Sequence, residues 1–164
     1  MTITEYVDAV IQSQAENGSA TPRTVDLIEK AVLEYPKAPE LWCLRGDVIQ
    51  LLEEPNETYT STSAVDSYCR ALELDPQWSE AYESLGFYTH VVADNPQEAE
   101  GFFRKAMSIS KTEDSFIGLG RVLAHLGRKD EALALLAPGN CPFSSEPEVK
   151  ELVTEINEGH WDNT

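Results

Sequence analysis

A pattern of paired apolar helix stripes returns about every 34 residues, and it restricts the fold more than any other feature. Its clearest copy runs from Asp114 to Leu136. Phe116, Leu119, Gly120 and Leu123 share one face at helical spacing. Ala132, Leu133, Leu135 and Leu136 form a second stripe, and Gly127 lies between the two. Gly127 lacks a Cβ and so suits the left-handed position that ends a helix. Gly120 and Ala132 are small where two helices approach closely. Neither helix can bury its apolar face alone, so such pairs must stack on neighbours. Two upstream copies exist. Tyr82, Leu85 and Gly86 are followed by Ala99, Phe103 and Ala106. Trp42, Gly46 and Ile49 are followed by Ala64, Tyr68, Ala71 and Pro76. Gly86 to Gly120 is 34 residues and Ala99 to Ala132 is 33.

Phe116-x2-Leu119-Gly120-x2-Leu123 with Ala132 and Leu136 keeps the offsets of a known repeat. The chain resembles the tetratricopeptide (TPR) family, whose unit is a helix–turn–helix with Trp, Leu-Gly, Tyr, Ala, Phe, Ala and Pro at set positions. The resemblance is clearest from Pro39 to Leu136. It implies an all-α fold, a right-handed α-solenoid of antiparallel helix pairs with a C-terminal capping helix. We expect one domain over 1–164: a degenerate repeat at 1–37, repeats at 39–76, 77–111 and 112–138, and the capping helix at 145–159. The rival reading of 1–37 is a plain helix hairpin that caps the stack.

Local signals place the helix ends. Thr21 and Asn95 precede Pro22 and Pro96, which gives a capping residue followed by proline in the first helical turn. Glu98 is placed to reach back to Asn95. Arg45 stands where the repeat usually has leucine, and its stem can snorkel. Gly46 to Gly86 is 40 residues, so this repeat carries about six extra residues, which we place in a loop at 53–63. That Ser/Thr-rich segment is either a solvated loop or a functional insertion able to accept phosphate. Trp161 follows the capping helix and is expected to fold back onto it.

The residues argue against chemistry. No His-Glu-x-x-His or paired Cys-x-x-Cys occurs, and Cys43, Cys69 and Cys141 have no ligand spacing. Cys43 and Cys69 fall inside helix patterns and read as small apolar residues. Gly118-Leu119-Gly120 lies within a helix without the rest of a phosphate loop, and no Gly-x-Ser-x-Gly is present. We therefore expect no catalytic residue, no metal, no cofactor and no enzyme activity. The formal charge of −17, from 29 acids against 12 bases, opposes binding to nucleic acid or an anionic membrane. The N-terminus lacks a basic start and an apolar run, and no stretch approaches the roughly 20 apolar residues of a membrane span. A cytoplasmic setting is expected.

Binding is the reading that remains. The family resemblance implies that the first helix of each repeat lines a concave groove. Carried over, the groove positions are Glu40, Cys43, Asp47 and Gln50, then Glu80, Glu83, Phe87 and His90, then Asp114, Ile117, Arg121, Ala124 and His125. The degenerate repeat adds Glu5, Asp8 and Gln12. Some family members clamp a C-terminal carboxylate with Lys and Asn. The matching positions here are Cys43, Asp47, Glu83 and Phe87, so that clamp is absent. An acidic groove instead suits a basic or amphipathic segment of a protein partner, with Phe87 as an apolar anchor. Two alternatives stand beside this reading: a dedicated chaperone for a secreted or membrane-active client, and a regulatory subunit of an enzyme.

Overall fold

The computed structural model describes residues 1–52 and 58–161, and the described residues form helices and turns without a strand. The helices are α1 (Ile3–Asn17), α2 (Pro22–Glu34), α3 (Pro39–Gln50), α4 (Ser61–Leu74), α5 (Ser79–Val91), α6 (Pro96–Ile109), α7 (Glu113–His125), α8 (Lys129–Leu136) and α9 (Pro147–Asn157). The expected all-α repeat fold is observed. Each start has a local cause. Thr2, Thr21, Thr60 and Thr112 cap α1, α2, α4 and α7, each accepting from the backbone N–H three residues on. In all four the residue at that third position returns a bond to the cap backbone. Asn95 caps α6 as expected, but Glu98 takes its bond from the Asn95 side-chain amide at 2.9 Å. Gly18 and Gly127 hold φ of 72° at the ends of α1 and after α7.

The chain forms two compact units, Met1–Ser84 and Leu85–Thr164, and α5 begins in one and ends in the other. In the first unit α1 pairs with α2, α2 with α3, and α3 with α4. Its core holds Tyr6, Val10, Ile28, Ala31, Leu41 and Val48. Between α1 and α2, the Ser13 and Thr24 hydroxyls lie 2.8 Å apart, and the Tyr6 hydroxyl donates to Glu34 at 2.7 Å. Between α3 and α4, Gly46 lies flat against the Tyr68 ring, leaving no room for a Cβ. Arg45 does more than snorkel. Its guanidinium pairs with Glu29 at 2.8 Å, donates to Ser67, and lies 5.9 Å from the centroids of both Trp42 and Tyr59. Cys43 is buried as expected, whereas Cys69 is exposed, one position past the buried Tyr68 on α4.

In the second unit Phe103 of α6 is the centre. A Cβ at Gly86 would lie 2.8 Å from its ring, and one at Gly118 would overlap it. Gly120 of α7 meets Leu136 of α8 and Leu152 of α9, so one glycine admits two helices. Ala99, Ala106 and Ala132 are fully buried. α9 covers α7 and α8 with Val149, Leu152 and Ile156, starting at Pro147 rather than at 145. Of the expected loop at 53–63, residues 53–57 lie outside the described residues, and α4 begins two residues earlier than Ser63.

Candidate functional site

The expected site residues fall into two groups, one in each unit. In the first, helix α3 presents Cys43, Asp47 and Gln50 on successive turns, and the start of α5 supplies Glu80, Glu83 and Ser84. Asp47 is the hub. Its Oδ1 accepts from the Tyr68 hydroxyl at 2.8 Å and from the Ser84 hydroxyl at 3.2 Å. Gln50 donates to the Tyr68 oxygen in turn, so the chain runs from amide to phenol to carboxylate. Burial pushes the Asp47 carboxyl above the usual carboxylate range, and the two hydroxyls only partly offset it. The Cys43 thiol is pushed far up by burial first, then by the charges of Asp47 and Glu80. Such a thiol stays protonated and inert. Glu80 is raised by desolvation and then by the Asp47 charge. Glu83 is 7% exposed, so its carboxylate is buried and does not present an open acidic rim.

Glu40 stands apart. It lines an open hollow of 540 Å³ with Ile3, Tyr35, Pro36 and neighbouring residues. On α1, Glu5 is engaged in the Thr2 cap and Gln12 donates to Glu16 at 2.9 Å, while Asp8 is exposed.

In the second unit the structure brings His90 of α5 and His125 of α7 together. His90 Nε2 and His125 Nδ1 are 3.0 Å apart, so one ring donates to the other. Burial, then the proximity of His125 and Arg121, pulls the His90 pKa below its ordinary value, which favours the neutral form of that ring. Trp161 does not rest on α9 alone. Its indole lies 6.4 Å from the His90 ring at an interplanar angle of 27°, and 6.1 Å from the His125 ring at 41°. Phe87 is half-buried with its ring edge-on to Phe103 at 4.9 Å. Ile117 and Ala124 are buried in the core of this unit, Asp114 is exposed in the first turn of α7, and Arg121 is half-buried.

Tyr68, Ser84 and Trp161 are functional candidates that sequence reasoning did not place. Tyr68 reads as a core aromatic, and only its hydroxyl distinguishes it. Ser84 bonds a residue 37 positions away, and no local pattern announces such a contact. No group of three or more metal-ligating side chains is assembled among the described residues.

Comparison with known proteins bears on the fold. No family model matches the chain. It is 30% identical over 98 residues to anaphase-promoting complex subunit 3 of Schizosaccharomyces pombe, a match covering 59% of this chain and 14% of that protein. The chain thus spans a small part of the length of the curated relatives it matches. Among solved structures it superposes on the type IV pilus biogenesis factor PilW with a TM-score of 0.72 at 17% identity, covering 97% of this chain and 73% of that one. YrrB, described as a TPR protein with an unusual peptide-binding site, gives a TM-score of 0.60 at 18% identity, covering 96% of this chain and 86% of that one.

Proposed function

We propose that this chain, a helical repeat of the tetratricopeptide kind, is a non-enzymatic protein-interaction module. Its first unit recognises a basic or amphipathic segment of a partner protein through the acidic face around Asp47. One observation carries the reading. Asp47 and Glu80 hold their protons more tightly than ordinary carboxyls, because burial raises the energy of both charged forms and the Asp47 charge adds to it at Glu80. A cation brought to that face relieves both costs at once, so the site is poised to gain from a lysine or arginine side chain. Glu80 supplies the accessible charge. Asp47 supplies the fixed one, oriented by Tyr68 and Ser84. The chemistry is recognition, and burial holds the Cys43 thiol protonated.

The test is a titration of fluorescently labelled Lys/Arg-rich peptides followed by anisotropy. Glu80→Gln and Asp47→Asn are each expected to weaken binding several-fold, and added salt is expected to weaken it further. Binding that ignores both substitutions and ignores salt would sink the proposal.

A further inference from the structure

His90 and His125 are two positions at which the family resemblance places partner contact, yet the chain's own Trp161 lies across them. The indole reaches them after α9 ends at Asn157, through a turn in which Gly159 takes a φ of 77°. That left-handed residue reverses the chain and returns the tail toward α5 and α7. The receiving surface is specific. Two imidazoles from different helices are locked to each other at 3.0 Å, so their planes are fixed before anything lands on them. A pre-oriented pair of imidazoles is a platform for another flat ring, because offset stacking needs faces held at set angles. Trp161 is only half-buried there, unlike the residues of the core beneath it.

We propose that this platform is an aromatic-accepting subsite on the second unit, and that Trp161 is its intramolecular occupant. The external ligand is a partner segment carrying a tryptophan side chain, which must displace Trp161 to dock. The inference rests on the reading of the chain as a protein-interaction module and adds the side chain that its second unit selects. A tethered competitor acts at high effective concentration, so it lowers the apparent affinity by the fraction of time it occupies the site. Two ring contacts of ordinary strength give a latch that depresses affinity by about tenfold. The tail then sets a threshold: segments lacking an indole fail to open the site, and those with one succeed.

The test uses the full chain and its Trp161→Ala variant, with thermal melting to establish that the variant folds. A stop codon placed after Gly159 gives a second version without the indole. The first probe is N-acetyltryptophanamide, read as shifts of the His90 and His125 imidazole resonances by NMR. Saturable shifts in the variant, about tenfold weaker in the wild type, are expected. The second probe is a basic peptide with one tryptophan, compared with the same peptide carrying alanine there. Trp161→Ala is expected to tighten the tryptophan peptide about tenfold and to leave the alanine peptide unchanged. Absence of imidazole shifts in both the variant and the truncated chain overturns the subsite, whatever the peptides do. Imidazole shifts from the small probe, with neither peptide binding, uphold the subsite and overturn the peptide-recognition reading instead. Equal affinity of the tryptophan peptide for wild type and variant overturns the latch.

Discussion

Asp47 is the residue at which the proposed function and stability oppose each other. Its carboxyl accepts two hydroxyl bonds yet still titrates above the ordinary range, so ionisation costs the folded state something. A folded pKa above the unfolded value means that the native chain keeps its proton longer. The cost is therefore absent below the unfolded pKa of about 4 and grows as pH rises toward the folded value. Asp47→Asn keeps an oxygen acceptor for Tyr68 and Ser84 and removes the charge. It is expected to be more stable than wild type near pH 7, with the difference closing near pH 3.5, as read by urea denaturation at the two pH values. Asp47→Ala instead strands the Tyr68 and Ser84 hydroxyls and is expected to lose about 1–3 kcal/mol. A loss of stability in Asp47→Asn at pH 7 would show that the carboxylate charge is held for folding. The sequence marks Asp47 as one acid among many, because what singles it out comes from α4 and α5.

At the scale of the helix, glycines divide by what faces them. Gly46 is pressed against the Tyr68 ring, and that ring is held by bonds to both Asp47 and Gln50. It cannot retreat without breaking them. Gly46→Ala is expected to cost about 1–3 kcal/mol by overpacking and to weaken basic-peptide binding through displacement of Tyr68. Gly101 is the opposite case: it sits inside α6, exposed, with nothing within 4 Å of a Cβ. Gly101→Ala is expected to raise stability by about 0.5–1 kcal/mol, since only the backbone entropy of the unfolded chain changes. Urea midpoints for the two variants should move in opposite directions. The repeat pattern made the close-approach role of Gly46, Gly86 and Gly120 legible, because small residues recur at one offset. Gly118 escaped, since a glycine two residues from a repeat position has no periodic signature, and its neighbour Phe103 belongs to another helix. The four threonine caps were legible in principle. Only Thr21 was singled out, because a threonine three residues before another Thr, a Ser or a Glu is a common local sequence.

Across the whole chain the charge of −17 dominates. From Glu53 to Glu100 there are eleven acids and a single base, Arg70. Six of the twelve bases fall between Arg104 and Lys129, where Arg104 and Arg128 are tied to Glu100 and Glu131 at 2.6–2.8 Å. Such excess like charge repels itself in the compact state. Raising NaCl from low to physiological concentration is expected to increase the melting temperature, while it weakens a basic partner. The partner is also expected to bind more tightly as pH rises through the raised pKa values of Asp47 and Glu80, because a cation favours the deprotonated form. The two measurements together separate screening of the chain's own repulsion from screening of recognition. Salt effects of the same sign on stability and on binding would contradict the acidic-face model.

What the amino-acid order determined by itself is the periodic part: helices of set length, their caps, the glycines that let them touch, and the absence of a catalytic motif. These follow from interactions spanning three or four residues, or from a spacing repeated about every 34, and both are visible along a line. Tertiary structure alone decided which polar groups meet. Tyr68 and Ser84 converge on Asp47, His90 meets His125, Trp161 turns back over both, and Ile117 disappears into the core. Each depends on the rotation of one helix against another, set by packing among residues far apart in the chain. A period in sequence states that helices will stack, whereas the few degrees that aim a side chain are settled only when the stack is built.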